Sequence, residues 1–229
     1  GGKGGTGQGP EIHMRGQVGG AGGRQGIDRL MPPDGLKAVA AAGLVEIRQR
    51  RVLRDSYAPV QASREERNLT AEQQTALQAM EPAIREKRQQ TFLLHGVTGS
   101  GKTQVYIEAA ALVRQQGRKV IVLVPEIALT GQLVQSFKAY FSQDIIVMHS
   151  RLSIHERNDA ILRVRRGEAG IIIGARSALF TPADDIGLIV MDEEQDMSYK
   201  QDEAPRYHAR VVAAELARLH GAVLVLGSA

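Results

Sequence analysis

The sequence predicts an α/β protein built on a doubly wound, mostly parallel sheet, and three observations carry that prediction. Apolar runs recur at Phe92–His95, Val120–Val124, Ile145–Met148, Ile171–Ile173, Ile186–Met191 and Ala222–Leu226. They are nearly continuous rather than alternating, the pattern of strands covered on both faces. Longer stretches of helical character separate them, so strand and helix alternate along the chain. A phosphate-binding loop pattern follows the first run directly.

The 229 residues suffice for one domain of ordinary size, or one domain with a small neighbour. Trp is absent and aromatics are 4%, so Ile, Val, Leu and Ala must build the core. With no Cys there is no disulfide scaffold, no thiol nucleophile and no thiolate zinc site within these residues. No apolar run approaches the roughly 18–20 residues that span a bilayer, and the start lacks an apolar signal stretch. A soluble intracellular protein without a membrane partner is expected.

Taken in order, residues 1–26 hold twelve glycines and are expected to form a flexible segment. Their GKGGTGQG string has Lys3 and Thr6 in the wrong order for a phosphate loop and follows no strand. Residues 27–60 read as part of a winged-helix DNA-binding segment: a short helix over Leu36–Ala42, stopped at Gly43, then a basic ribbon with Val45 and Ile47 before RQRR and Val52 and Leu53 after it. Residues 61–68 form a linker. The first 68 residues carry eleven Lys/Arg against seven Asp/Glu, so the whole net charge of +4 lies there. Arg48, Arg50 and Arg51 make a cluster suited to a polyanion or to plain solvation.

Residues 69–229 form the main domain. Thr70 and Gln73 have capping-box spacing for a helix start, and Pro82 is expected to break or kink that helix. Further helices are predicted near Thr103–Gln116, Ala128–Phe141, Ile154–Arg166 and Tyr207–Leu219.

Gly96-Val-Thr98-Gly99-Ser100-Gly101-Lys102-Thr103 fits G-x-x-x-x-G-K-[ST] between a strand and a helix. Glycines let successive backbone N–H groups converge on phosphates, and the helix N-terminus adds its positive dipole end. Lys102 is expected to reach the β- and γ-phosphates of ATP, and the Thr103 hydroxyl to ligate Mg²⁺.

Ile186–Met191 runs into Asp192-Glu193-Glu194-Gln195. Carboxylates at the tip of a buried strand are costly unless a metal or hydrogen bonds compensate. Beside a phosphate loop, Asp192 is expected to hold Mg²⁺ and Glu193 to orient and deprotonate water, which favours hydrolysis over phosphoryl transfer to a substrate hydroxyl.

Together these motifs resemble superfamily 2 DNA helicases, and most closely the primosomal replication-restart helicases, from about Ala38 to the end. LTAEQQ resembles the adenine-contacting motif carried by Gln73, and FLLHGVTGSGKTQVY resembles motif I. VLVPEIALT, with Thr130, and GARSALF, with Arg176 and Ser177, are similar to motifs Ia and Ib, which line the path of single-stranded DNA. MDEEQD resembles motif II, SYKQDEAPRYHAR an aromatic-rich loop, and the terminal LGSA the start of motif III. In that loop Tyr199 and Tyr207 alternate with Lys200, Arg206 and Arg210, a mixture suited to stacking on bases and meeting phosphates.

The resemblance implies a RecA-like lobe in an ATP-dependent 3′→5′ helicase of replication restart, cytoplasmic and associated with the bacterial nucleoid. It implies forked and single-stranded DNA, primosome proteins, single-stranded DNA-binding protein and the replicative helicase as partners. A nucleotide-dependent DNA-binding scaffold, or another superfamily 2 translocase on duplex DNA, is the alternative. Gln195 stands where the family usually has His, and Ala175 where it often has Thr. His95, His149, His155 and His208 lack metal-ligand spacing. The chain starts without Met and stops inside motif III, so a fragment is expected, with the second lobe, its arginine finger and the zinc-binding cysteines in the rest of a parent protein. Alone it is expected to bind Mg²⁺-ATP weakly and to hydrolyse it slowly if at all.

Overall fold

In a computed structural model, residues 69–129 and 131–229 are described throughout, together with the backbone of β1 (Pro10–Met14) and β2 (Val45–Gln49). The chain divides into two units, Gly1–Leu53 and Arg54–Ala229. In the first unit, β1 and β2 pair antiparallel, with Glu11 opposite Arg48, Ile12 opposite Ile47 and Met14 opposite Val45. The partner of β2 therefore lies inside the glycine-rich stretch of residues 1–26. Its residues Glu-Ile-His-Met alternate polar and apolar, which is a strand pattern. The remainder of the segment assigned to a winged helix, including Arg50 and Arg51, and the linker at 61–68 lie outside the described residues.

In the second unit α1 (Ala71–Arg85) leads into β3 (Gln90–His95), α2 (Lys102–Gln115), β4 (Lys119–Leu123), α3 (Gln132–Phe141) and β5 (Ile145–Met148). Then come α4 (Ile154–Arg165), β6 (Ile171–Gly174), β7 (Ile186–Met191), the short β8 (Lys200–Gln201) and β9 (Tyr207–His208), α5 (Ala209–His220) and β10 (Val223–Ser228). Six strands form one parallel sheet in the order β3-β10-β7-β4-β6-β5. Every residue of β5, β6 and β7 is buried, which is why these runs carry no polar side chain.

The two-residue period of the strands divides the core between the faces. Val120, Val122, Ile171, Ile173, Leu188 and Val190 join one cluster with residues of α1, α2 and α3. Ile121, Leu123, Ile172, Ile189 and Met191 join the other with Val164 of α4 and Ala209, Ala213 and Ala217 of α5. The expected doubly wound α/β sheet is present.

Three boundaries differ from the sequence reading. Helix α1 runs through Pro82 to Arg85 without ending there. Pro82 and Gln78, whose carbonyl loses its partner, are both exposed, so water can take that carbonyl while Met80, Ala83 and Ile84 anchor the helix in the core. The helix expected from Ala128 starts at Gln132, after a 3₁₀ turn at Glu126–Ala128 and an extended Gly131. Tyr207 belongs to β9, which pairs antiparallel with β8, and α5 starts two residues later, capped by His208.

At the N-terminal ends of the strands the guanidinium of Arg118 is buried. It donates to Asp185 Oδ1 at 2.8 Å and to the carbonyls of Ile186 at 2.6 Å and His220 at 2.7 Å, tying β4 to β7 and α5. Among the described residues no helix is long and apolar enough to cross a membrane.

Candidate functional site

The phosphate-loop residues join β3 to α2, as the sequence pattern requires. Gly96 N–H donates to the Ser228 carbonyl at 3.1 Å, so the loop springs from paired strand tips. Gly101, which precedes α2, has φ +84°, and a Cβ there would lie 2.2 Å from Gln73 Nε2. Only glycine takes that conformation without strain in so little space. Lys102 Nζ donates to the Gly96 carbonyl at 2.6 Å and its side chain is 9% exposed.

From the other side, β7 delivers the acidic turn. Asp192 N–H donates to Leu123 O at 2.9 Å and Glu194 N–H to Gly227 O at 2.8 Å, continuing the sheet's pairing past its regular end. Between them Glu193 has φ +46°, an unfavourable conformation for a side-chain-bearing residue. Its Oε1 stands 3.9 Å from Lys102 Nζ, and its Oε2 accepts from Gln195 Nε2 at 2.7 Å. Gln195 Oε1 accepts from the Ser228 hydroxyl at 3.2 Å. Motif II residues thus bridge the phosphate loop and the tip of β10.

A cleft of about 270 Å³ is lined by Thr98, Gly99, Ser100, Gly101, Lys102 and Thr103 from the loop and by Asp192 and Glu193 from the acidic turn. Burial pushes the Asp192 carboxyl above its ordinary value and the nearby Glu193 adds to this, while the Tyr106 hydroxyl bond and Lys102 pull it down. A cation beside that carboxylate would offset the cost of its burial. The donor set of Thr103 hydroxyl, Asp192 carboxylate, Lys102 ammonium and loop backbone suits a magnesium-bound triphosphate.

Not every expected site residue faces this cleft. Gln73 Oε1 accepts from Thr70 N–H at 3.0 Å, closing the helix cap, while its Nε2 donates to the carbonyls of Ser100 and Gly101 at 3.3 and 3.4 Å. Its amide braces the loop rather than standing free for a base. Tyr199, expected to stack on bases, is 1% exposed and donates to the Asp192 carbonyl at 2.7 Å. The 3₁₀ turn Met197–Tyr199 follows the acidic turn closely, and the Tyr199 ring lies in the core.

Arg176 Nη1 donates to the carbonyls of Ser198 and Lys200, at 3.0 and 2.6 Å, so this guanidinium clasps the loop on either side of Tyr199. Ser177 is exposed on the same 3₁₀ turn. Tyr207 is half-buried and meets Phe180 edge-on, with ring centres 5.3 Å apart. Lys200 pairs with Asp202, Arg206 donates to the Asp202 carbonyl, and Arg210 pairs with Glu194. Thr130 and Arg50 and Arg51 lie outside the described residues, and of Arg48 only the backbone position in β2 is described.

Tyr106, Gly227 and Ser228 were not singled out by residue from the sequence. The signal for Tyr106 was available: it lies one helical turn beyond Lys102, on the same face of α2.

A DEAD/DEAH box helicase family model matches residues 70–229. The replication restart protein PriA of Bacillus subtilis is 43% identical over 195 residues, covering 85% of this chain and 24% of that protein. PriA of Chlamydia pneumoniae is 45% identical over 164 residues, 71% of this chain and 22% of its own length. PriA of Haemophilus influenzae is 44% identical over 164 residues, 72% and 22% respectively. The chain therefore spans about a quarter of the length of these curated relatives. Among solved structures, the Pyrococcus furiosus Hef helicase domain superposes with a TM-score of 0.46 at 23% identity, covering 67% of this chain and 31% of that one. The family match runs from the capping threonine of α1 through the loop, the acidic turn and β10, and the chain belongs to the DEAD/DEAH box helicases.

Proposed function

We propose that this chain is the ATP-binding lobe of a DNA helicase of replication restart, in which ATP hydrolysis drives 3′→5′ movement along DNA. The observation that carries the reading is the meeting of Lys102, Asp192 and Glu193 at one cleft, with Lys102 Nζ 3.9 Å from Glu193 Oε1. Similarity to proteins named replication restart protein PriA supports the biological setting.

In this reading the loop amides and Lys102 bind the β- and γ-phosphates, and Thr103 and Asp192 hold Mg²⁺. The metal, when bound, screens phosphate charge as the bond to the leaving group breaks. Glu193 accepts a proton from the attacking water, and Gln195 holds the Glu193 carboxylate at 2.7 Å. Ser177, Lys200, Arg206, Tyr207 and Arg176 are the residues that take DNA in this reading, together with Thr130, whose assignment rests on sequence alone. Tyr207 is suited to stacking; Tyr199 instead supports Asp192 from behind. Gln73 braces the loop through the carbonyls of Ser100 and Gly101. Forked DNA, primosome proteins, single-stranded DNA-binding protein and the replicative helicase are the proposed partners in the cytoplasm.

The test pairs two substitutions. Lys102→Ala in this chain is expected to abolish binding of a fluorescent ATP analogue. Glu193→Gln in the full-length protein is expected to retain ATP and stop DNA-stimulated turnover. Unchanged nucleotide binding in the first, or undiminished turnover in the second, would sink the reading.

A further inference from the structure

Tyr106 is 1% exposed, at the interior of α2, where a phenylalanine would fill the same volume without carrying a polar atom into the core. A buried hydroxyl is unfavourable unless it is bonded. This one donates to Asp192 Oδ1 at 3.0 Å, linking residues 86 positions apart. Burial, then the charge of Asp192, pushes the phenol above its ordinary range, so it stays a donor.

The neighbouring strand makes room for that bond. At Gly227 of β10 an added Cβ would lie 1.9 Å from the Tyr106 hydroxyl and 3.2 Å from Asp192 Oδ1. The Gly227 carbonyl meanwhile accepts from Glu194 N–H at 2.8 Å, which fixes the distance between β10 and the acidic turn. The strand cannot step back to admit a side chain without breaking this contact. Helix α2 also bears Lys102 and Thr103, four and three residues before Tyr106, so one helix face supplies the ammonium, the hydroxyl ligand and the carboxylate's brace.

We propose that Tyr106 is a positioning residue for Asp192: its hydroxyl fixes Oδ1 and so orients the carboxylate toward the Mg²⁺ of a bound nucleotide, in a clearance that Gly227 provides. The inference rests on the nucleotide reading of the cleft given above. Partners that orient a metal-binding carboxylate typically contribute about 10–100-fold to metal affinity, and the loss of one hydrogen bond from a site with other ligands falls at the lower end.

The experiment titrates the 229-residue chain with a fluorescent ATP analogue, once in Mg²⁺ and once in excess EDTA, and compares the gain in affinity that the metal brings. Tyr106→Phe is expected to lose about tenfold of that gain and to keep the affinity in EDTA. Gly227→Ala, made separately, is expected to lose a similar share. Introduced into Tyr106→Phe it should cost less, because the hydroxyl 1.9 Å from its Cβ is gone and the remaining close neighbours are the ring carbon at 3.1 Å and Asp192 Oδ1 at 3.2 Å.

A wild-type chain with no gain from Mg²⁺ overturns both the cleft reading and this inference. A wild-type gain that survives intact in Tyr106→Phe overturns the inference alone. So does equal weakening with and without metal, which is the mark of a packing role, and so does a Gly227→Ala loss that is undiminished in the double variant.

Discussion

The hydroxyl of Ser228 donates to the side-chain carbonyl of Gln195 at 3.2 Å, joining the tip of β10 to the acidic turn after β7. Gln195 passes the connection on, donating to Glu193 Oε2 at 2.7 Å. An amide serves both contacts at once because it carries a donor and an acceptor. Gln195 therefore uses both its amide nitrogen and its amide oxygen.

Gln195→Ala is expected to leave binding of the ATP analogue intact and to lower the turnover of the full-length protein. One lost hydrogen bond to a charged group corresponds to about 1.5–3 kcal/mol, or roughly ten- to a hundredfold in rate when the whole effect falls on the transition state. Steady-state ATPase measurements at saturating DNA check this; a change confined to KM would contradict it.

Asp192→Asn is expected to stabilise the fold while impairing Mg²⁺-dependent nucleotide binding. Burial raises the Asp192 carboxyl above its ordinary value of 3.8. Through that window the native state binds more protons than the unfolded chain, so the wild type loses stability as the pH rises across it. Asn does not titrate, and its side-chain oxygen can still accept from Tyr106. In thermal melts without metal or nucleotide, the variant's advantage should grow from acid to neutral pH and then level off.

Arg118→Met should destabilise the chain strongly without touching the cleft. It removes a guanidinium that pairs with the exposed Asp185 and bonds the carbonyls of Ile186 and His220, and leaving a buried carbonyl without a partner costs about 1–3 kcal/mol. Urea unfolding should show a lower midpoint with an unchanged slope.

Arg176→Ala should free the segment that follows the acidic turn, since Nη1 of Arg176 holds the carbonyls of Ser198 and Lys200. Trypsin cleavage after Lys200 and Arg206 is expected to accelerate several-fold, in proportion to a loss of about 1 kcal/mol of local stability. Equal cleavage rates would show that Arg176 does not hold the loop.

Much of the fold was legible because local pattern and burial coincide. The Ile/Val runs at 120–124, 145–148, 171–173 and 186–191 are strands because both their faces are covered. Thr70 and Gln73 form the expected capping box, and Ser153 with Glu156 forms a second with the same spacing at the start of α4. Where one pattern carries two meanings, the sequence misled. Pro82 usually interrupts a helix, yet at an exposed position of a core-anchored helix it is tolerated. Tyr199 and Tyr207 look alike in a loop rich in basic residues, but one is in the core and the other rests half-buried on Phe180.

By itself the sequence determined which residues form strands and helices and that a glycine-rich turn links one strand to the helix beginning at Lys102, because periodicity, caps and glycines act within a few residues. Only the tertiary structure decided that β10 inserts between β3 and β7, bringing Gly227 and Ser228 against the acidic turn and leaving Tyr106 against Asp192. Strand order depends on which helix covers which face, a balance of packing among distant segments that no local pattern records.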